Sequence, residues 1–600
     1  MSISRLRGNG VIGILREAAN KWERRAPISP TDARILRELR QVKVLVQPCN
    51  QRVFSDDEYR AAGAIVTEDV SEASVLLGVQ RPKPETLLPD RTYACFTRTI
   101  KAQRAGMPFL DAVLKNNIRL FDYESITLDG LRNGSRLVSF GTLCGNVGMI
   151  NTLRGLGERF LSLGYSTPFL GISSAYMYPT LKTAKAAVDA LAKEIAKNGL
   201  PAPITPLTFV FTGNGRASLG AQEIFKLLPH EFVKPSDLPT LAHRWHQPDK
   251  GNARFKVYGC VVEEEDMVAR RHDADERKQQ HGDAAKASTS WTTNTFDRRE
   301  YHAHPELYVP TFHERIAPFA NVIINATYWD RRYPRLLTNR QAQALLGDQR
   351  NARESHQTTP GSLAGTHGLL AVSDISCDID GSVQFLSRTS TIDRPFYVYD
   401  AFRHHAHDGV DGEGVLMMGI EQLASELPRE STRSFSSALL NFAADLAFSD
   451  GTKPFEQQSR ELPTSLSGAC IAAHNELTPN YKYIERMRRE LARSKVRPAA
   501  TLDNTDAVST TILLQGHLFD TGLINRALDK VELYNGSFDI RECMVRPNMP
   551  AQHLKSTSSA VVVLEAPSRS DLDALLADLR NLVRDTPAAE ATITELESFD

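Results

Sequence analysis

Cysteine is scarce in this chain: seven residues in 600, Cys49, Cys95, Cys144, Cys260, Cys377, Cys470 and Cys543, spread far apart with no CxxC pair. That spacing supports neither a disulfide framework nor a cysteine zinc site, and fits reduced thiols. Net charge is as small, −1 from 71 basic and 72 acidic residues. Nothing global therefore favours nucleic acid or an anionic membrane as a partner. No apolar run comes near the roughly 18 residues that cross a bilayer. The first ten residues, MSISRLRGNG, are basic and lack acids, but a core-like strand follows at 11–15, leaving little room for a cleavable presequence. The expectation is a cytoplasmic protein, with a mitochondrial location left open. What the chain does have is 41% hydrophobic residues, the composition of an ordinary globular protein. Its length is too great for one core and predicts three or four domains.

Residues 1–135 alternate short apolar strands (11–15, 42–47, 74–78, 93–96) with helical stretches such as 31–40 and 103–115, the order of a parallel α/β domain. A glycine-punctuated helical stretch, 141–163, leads into a second α/β domain over 136–427. Residues 263–300 are charged and rich in serine and threonine without apolar period, and read as a polar surface insertion. A similar polar loop covers 347–368. Residues 428–492 read as a helical return segment packing on the N-terminal domain, and 492–506 as a linker. Residues 505–590 run strand, helix, strand, strand, helix, a small α+β accessory domain.

The run LTFVFTGNGRASLGA, 207–221, is the most telling segment. A buried β-branched strand at 208–211 breaks into Gly213, Gly215 and Gly220, with Arg216 among them, and then reads as a helix, so a pyrophosphate could sit on the free N–H groups where the helix begins. The spacing is GxGxxxxG rather than GxGxxG, and an ordinary glycine turn is the alternative. The next strand, 231–234, ends about 20 residues on, where dinucleotide folds place an acid that reads the ribose. Lys234 stands there instead, which leans toward the 2′-phosphate of NADPH over NADH; the alternative is a solvated surface lysine.

Several ordered blocks resemble lysine-ketoglutarate reductase, the saccharopine-forming half of the bifunctional aminoadipic semialdehyde synthase: 12–30 (IGILREAANKWERRAPISP), 78–83 (GVQRPK), 93–103 (YACFTRTIKAQ), 164–168 (GYSTP), 209–222 (FVFTGNGRASLGAQ), 312–317 (FHERIA) and 373–385 (SDISCDIDGSVQF). The likeness is to the plant-type form, and 514–530 and 537–543 resemble the accessory region that such enzymes carry, with no saccharopine dehydrogenase half following. The resemblance implies two Rossmann-like domains of the alanine dehydrogenase/saccharopine dehydrogenase type with an interdomain cleft, plus the small C-terminal α+β domain. It implies reductive condensation of L-lysine with 2-oxoglutarate to saccharopine as NADPH is oxidised, a homo-oligomer, and a separate saccharopine dehydrogenase as partner. For residues 505–590, docking or oligomerisation and ligand sensing stay equally open.

By that resemblance Arg25 is the substrate-carboxylate arginine and Arg16 a second candidate, the alternative for each being a surface ion pair. A guanidinium suits the task because it binds a carboxylate bidentately. Lys101 is expected to face the cofactor and Phe140 to pack near the nicotinamide. Where the family carries a lysine and a histidine for proton transfer, this chain has Gln80 and Arg98. Neither cycles protons near neutrality, though both donate hydrogen bonds. Glu124 is the matching titratable group left, expected beside the position of the missing lysine. A rerouted proton path, a different amine or keto acid, and a catalytically degenerate regulatory or binding paralogue are the three consequences open. The cluster His404, His405, His407 and Asp408 suggests a metal only superficially, since adjacent histidines do not converge on one ion; the expectation is a polar loop and no metal.

Overall fold

The computed structural model describes residues 5–18, 20–131, 134–244, 251–271, 296–355, 368–496, 508–519, 521–534, 537–545, 557–566 and 568–596. The chain divides into two units, one of residues 1–99 and 103–481, the other of 100–102 and 482–600.

Two eight-stranded sheets form the first unit. The first is built from β1 (Val11–Ile14), β2 (Lys43–Val46), β3 (Ile65–Val66), β4 (Val75–Gln80), β5 (Thr92–Phe96) and β6 (Arg119–Asp122). These run parallel in the order β6-β5-β4-β1-β2-β3. Buried on both faces, they read as continuous apolar runs, as parallel strands do. Helices α1 (Pro30–Arg40), α2 (Asp56–Ala61) and α3 (Met107–Lys115) supply the crossovers. Ser29 caps α1 by accepting from Asp32 N, with proline at the first helical position.

The second sheet contains β7 (Thr208–Thr212), β8 (His230–Phe232), β9 (Val257–Val262), β12 (Val322–Asn325), β13 (Ala371–Asp374), β14 (Tyr397–Asp400), β15 (His405–Asp408) and β16 (Val415–Met418), in the order β15-β14-β16-β13-β12-β7-β9-β8. Between β9 and β12, the strands β10 (Val268–Arg270) and β11 (Tyr308–Pro310) pair with each other. Two long helices, α4 (Gly141–Ser162) and α5 (Leu181–Asn198), precede β7, and α6 (Arg216–Phe225) follows it.

Three expectations change. Residues 428–492 are not wholly helical: the helix Pro428–Phe448 docks on α1, where Ser436 Oγ accepts from Ser29 N at 2.8 Å and donates to Asp32, but β17 (Cys470–Ala473) and β18 (Glu476–Leu477) then join the first sheet beside β6. Within 263–300, residues up to 271 and from 296 form short helices and β10, whose partner β11 lies just beyond, while 272–295 lie outside the described residues. The loop at 347–368 begins as helix, Asn339–Ser355, and its residues 356–367 lie outside the described ones. Short strands and amphipathic polar helices carry little periodic signal, which is why sequence pattern missed them.

In the second unit β19 (Val508–Gly516), β20 (Ser537–Met544), β21 (Ser558–Ala566) and β22 (Thr592–Leu596) make an antiparallel sheet in the order β20-β21-β19-β22. Helices Leu523–Leu533 and Arg569–Arg584 complete a βαββαβ unit, the ferredoxin-like order. Its fourth strand lies past residue 590. Leu572, Leu575, Leu576, Leu579 and Leu582 form the buried stripe of the second helix.

Close approach of α4 and α6 sets the frame of the first unit. A Cβ on Gly220 would come 2.1 Å from the carbonyl oxygen of Thr142, and one on Gly145 would come 2.0 Å from that of Ala217. Backbone obstructs both positions, so neither can be relieved by a side-chain rotation. Gly220→Val is expected to destabilise the first unit by about 1–3 kcal/mol or more through overpacking, read as a lower denaturation midpoint.

Candidate active site

Residues after the C-terminal ends of β1, β4 and β5 converge. Past β1 the chain passes Arg16 and Glu17 to opposite sides. Arg16 turns outward, its guanidinium on both carboxylate oxygens of exposed Glu68 at 3.0 and 3.2 Å and on the carbonyl of Pro48 at 3.1 Å. Here it forms a surface ion pair, the alternative to a substrate contact. Glu17 turns inward and accepts from the backbone N–H groups of Val79 and Gln80 at 2.5 and 3.2 Å.

Arg25 is 4% exposed and Glu23 1%. Arg25 donates from Nε to Glu23 Oε1 at 2.8 Å and from Nη2 to Oε2 at 2.6 Å, a bidentate pair. Among the described residues no protein acceptor is found for Nη1, so the guanidinium keeps one edge for another anion. Its carbon lies 4.3 Å from the Phe140 ring centroid, in cation–π contact. Gln80, at the end of β4, donates from its amide to Glu23 Oε2 at 3.0 Å.

Burial opposes the positive charge on Arg25, but Glu23 outweighs it and holds the pKa above its ordinary value. The Glu17 carboxyl is pushed up to about 8, first by burial and then by the Glu23 charge, against the backbone N–H groups and Arg25. Asp122, fully enclosed at the end of β6, rises to about 7 by burial and the nearby Glu124 charge, while hydrogen bonds from Thr97 pull the other way.

Glu124 and Gln80 are held by different partners. The Glu124 backbone N–H binds Asp122 and its carboxylate takes Arg136 Nη1 at 3.3 Å, while Glu17 and Glu23 occupy the surroundings of Gln80. Arg98 sits at φ +56° and reaches Glu421, beyond β16, at 2.7 Å. Lys21 and the Trp22 indole N–H likewise hold Asp393 at 2.5 and 2.8 Å. These contacts join the loops of one sheet to those of the other. Lys101 falls in the second unit, where the Tyr483 hydroxyl donates to the neighbouring carbonyl of Ile100 at 2.9 Å.

Phe140 caps α4 and stacks on Phe435 with centroids 4.6 Å apart. The next residue, Gly141, abuts Arg216 at the start of α6. Arg25 and the glycine loop are thus separated by one aromatic ring and one helix start. In the loop Gly213 takes φ +70°, Gly215 caps α6 with open space where a Cβ would lie, and Gly220 serves helix packing rather than a ligand. The first intrahelical bond is Leu219 N to Gly215 O, so the N–H groups of Arg216, Ala217 and Ser218 point out of the helix end. Residues fit a dinucleotide pyrophosphate there.

Lys234 does not occupy the place assigned to it. β8 ends at Phe232 on the sheet edge, and β9 lies between it and the glycine strand β7. Sequence order suggested adjacency, but β9 inserts next to β7, so Lys234 is exposed on the far side of that strand. The NADPH preference argued from it loses its footing. Of the histidine cluster, His404 bonds Tyr399 at 3.1 Å, His407 meets the Asp411 carbonyl, and Asp408 is held by Arg388 and Arg394 on the edge hairpin β14–β15.

The architecture and loop are those of a two-domain, Rossmann-like protein whose glycine loop fits a dinucleotide. Residues 13–144 match the alanine dehydrogenase/PNT N-terminal domain, and 509–598 match the conserved region of the LOR/SDH bifunctional enzymes. The chain is related to the alpha-aminoadipic semialdehyde synthases: that of Arabidopsis thaliana is 40% identical over 566 residues, 91% of this chain and 48% of the relative, and the mitochondrial one of Bos taurus 41% identical over 82% of this chain and 50% of the relative. The chain spans about half the length of these relatives. Saccharopine dehydrogenase [NAD(+), L-lysine-forming] of Candida glabrata is 29% identical over 22% of this chain and 37% of its own length. Among the described residues no helix is long and apolar enough to cross a membrane.

Two measurements probe the cluster. Glu23→Ala leaves the Arg25 charge buried and unpaired, and should cost about 3–5 kcal/mol in chemical denaturation. The folded state holds the Glu17 proton up to about pH 8, against an ordinary value of 4.5. Its contribution to stability is therefore full below pH 4.5 and is lost as pH rises to about 8. Glu17→Gln should remove this decline, making the variant's stability less pH-dependent than the parent's across that window.

Proposed function

We propose that the chain condenses the side-chain amine of L-lysine with 2-oxoglutarate and reduces the resulting imine to saccharopine, in lysine degradation. The observation that carries this reading is the buried Glu23–Arg25 pair with the half-buried Glu17 and Gln80 gathered on it, and Phe140 between that cluster and the glycine loop. A reduced nicotinamide dinucleotide, when bound, supplies hydride to the imine carbon. Everything else falls to the chain's own side chains.

Arg25 binds a carboxylate of the keto acid through its Nη1 edge, while Glu23 fixes the plane of the guanidinium. Gln80 is held by Glu23 and offers its amide group to the substrate. The new C–N bond forms as the lysine amine, having shed its proton, adds to the keto carbon. The carbinolamine then loses its hydroxyl as water, and this step needs a proton donor. Glu17, with its pKa near 8, is protonated at neutrality and is that donor. Phe140 packs against the nicotinamide, and Arg98 with Glu421 clasps the two sheets across the site.

Reduced dinucleotide, L-lysine and 2-oxoglutarate mixed with the full chain should show substrate-dependent loss of absorbance at the nicotinamide band and saccharopine by mass spectrometry. Glu17→Gln should lower kcat by about 10²–10⁴-fold and abolish the fall in kcat above pH 8. Gln80 and Arg98 support a second reading, a dinucleotide-binding protein without turnover. Bound dinucleotide with no saccharopine formed would favour it, and a Gln80→Lys, Arg98→His variant that then gained activity would place the defect at those two positions.

A further inference from the structure

The N-terminal ends of the first sheet line a cavity of their own. Strands β1, β4, β5 and β6 run parallel, so the residues before β1 and at the start of β6 lie at the edge opposite the one where Glu17, Glu23 and Arg25 gather. There Arg7, the C-terminal end of α1, Arg119 and the segment 444–463 surround a space of about 980 Å³, enough for a small organic molecule.

Arg119, the first residue of β6, is 1% exposed and lines this cavity. Its Nε donates to Thr92 Oγ1 at 3.0 Å, its Nη1 to Gln458 Oε1 at 3.2 Å and its Nη2 to Ser449 Oγ. Neutral groups thus fix the guanidinium, yet none of them balances its charge. Asp450 favours that charge from nearby, but its carboxylate serves Thr452 at 2.6 and 3.0 Å and Arg7 at 4.0 Å. Among the described residues no carboxylate lies within ion-pair distance of Arg119, and burial pushes its pKa down to about 10. The second N–H of each Nη finds no acceptor among the described residues either. A buried cation in that condition is costly until an anion reaches it.

The rest of the wall narrows the choice of anion. Leu39 and Phe448 are 75% and 57% exposed and give the cavity an apolar side. Lys453 is taken by Glu461 at 2.5 Å and Arg40 by Asn441 at 2.8 Å, whereas Asp445, exposed on the same wall, opposes any second negative charge. We propose that this cavity binds a small organic monocarboxylate with an apolar body, its carboxylate accepting from Nη1 and Nη2 of Arg119 and its apolar part lying on Leu39 and Phe448. One negative charge is what Arg119 lacks, and a planar carboxylate matches the fork of a guanidinium. None of the residues gathered at the opposite edge of the sheet takes part.

Benzoate is the probe, with inorganic phosphate for comparison. Calorimetric titration of the full chain should give a benzoate Kd below about 1 mM, with phosphate at least about tenfold weaker. Phe448→Ser should weaken benzoate by about threefold or more through lost apolar contact. Asp445→Asn should tighten it about twofold by removing a like charge. Both side chains are exposed, so these variants keep the fold. Arg119→Met should abolish binding; if it does not fold, the two wall variants decide. No binding of benzoate up to about 20 mM overturns the proposal. So does phosphate binding as tight as benzoate, or a benzoate affinity unchanged in both Phe448→Ser and Asp445→Asn, which would place the carboxylate at Arg25 or elsewhere.

Discussion

A buried, bidentate pair between Glu23 and Arg25 is the interaction on which the rest of the site depends. Placing two charges in so dry a position is worthwhile only with good geometry and satisfied remaining lone pairs, and the surroundings meet both demands. Glu23 uses its second oxygen for Gln80 as well as for Arg25, and Arg25 covers the face of Phe140. The pair thereby fixes three groups at once: the plane of the guanidinium, the rotamer of the amide, and the ring that begins α4. It also sets the field felt by Glu17.

From Phe140 the constraint passes into the dinucleotide domain. Because α4 and α6 touch through glycines at Thr142–Gly220 and Gly145–Ala217, the helix that carries Phe140 cannot move away from the helix that follows the glycine loop without losing backbone contact. Hydride transfer needs donor and acceptor carbons held within a few tenths of an ångström, on the order of 3–3.5 Å apart. On the proposed function, a stiff junction between Arg25 and the glycine loop supplies such a fixed distance, and the Arg98–Glu421 and Lys21–Asp393 pairs join the loops of the two sheets. Exposed pairs of that kind contribute little to stability.

Much of this was legible in the sequence. The parallel strands announce themselves as apolar runs, the glycine loop by its position after β7, and Arg25 and Phe140 by the blocks in which they stand. Spatial order was not legible. Consecutive strands in a doubly wound sheet need not be neighbours, and nothing in residues 231–234 says that 257–262 will slip between them and β7. Glu17 and Glu23 passed unnoticed because a carboxylate in a charged segment looks solvated until the fold buries it. Alternation could have separated Arg16 from Glu17, since adjacent residues leaving a strand point to opposite sides. No local signal distinguishes Glu124 paired with Arg136 from Glu124 beside Gln80, because that choice is made by the packing of distant segments.

Gln80 and the high pKa of Glu17 are best understood as one feature. A lysine at position 80 would bring a cation to within reach of two carboxylates that share a buried space with a single arginine. With glutamine there, Arg25 pairs with Glu23, and its charge and the two backbone N–H groups only partly offset the burial and the Glu23 charge that act on Glu17. An ionised Glu17 would leave the enclosed cluster with an unbalanced negative charge, and the cheaper state is the protonated one, which is the direction of the shift. Replacing the lysine therefore does more than delete a titratable group. It transfers the titration to the neighbouring carboxyl and brings that carboxyl near the pH where a proton donor is most useful. On the proposed mechanism, the residue that by type looks like a loss of catalysis leaves Glu17 as the acid in its place.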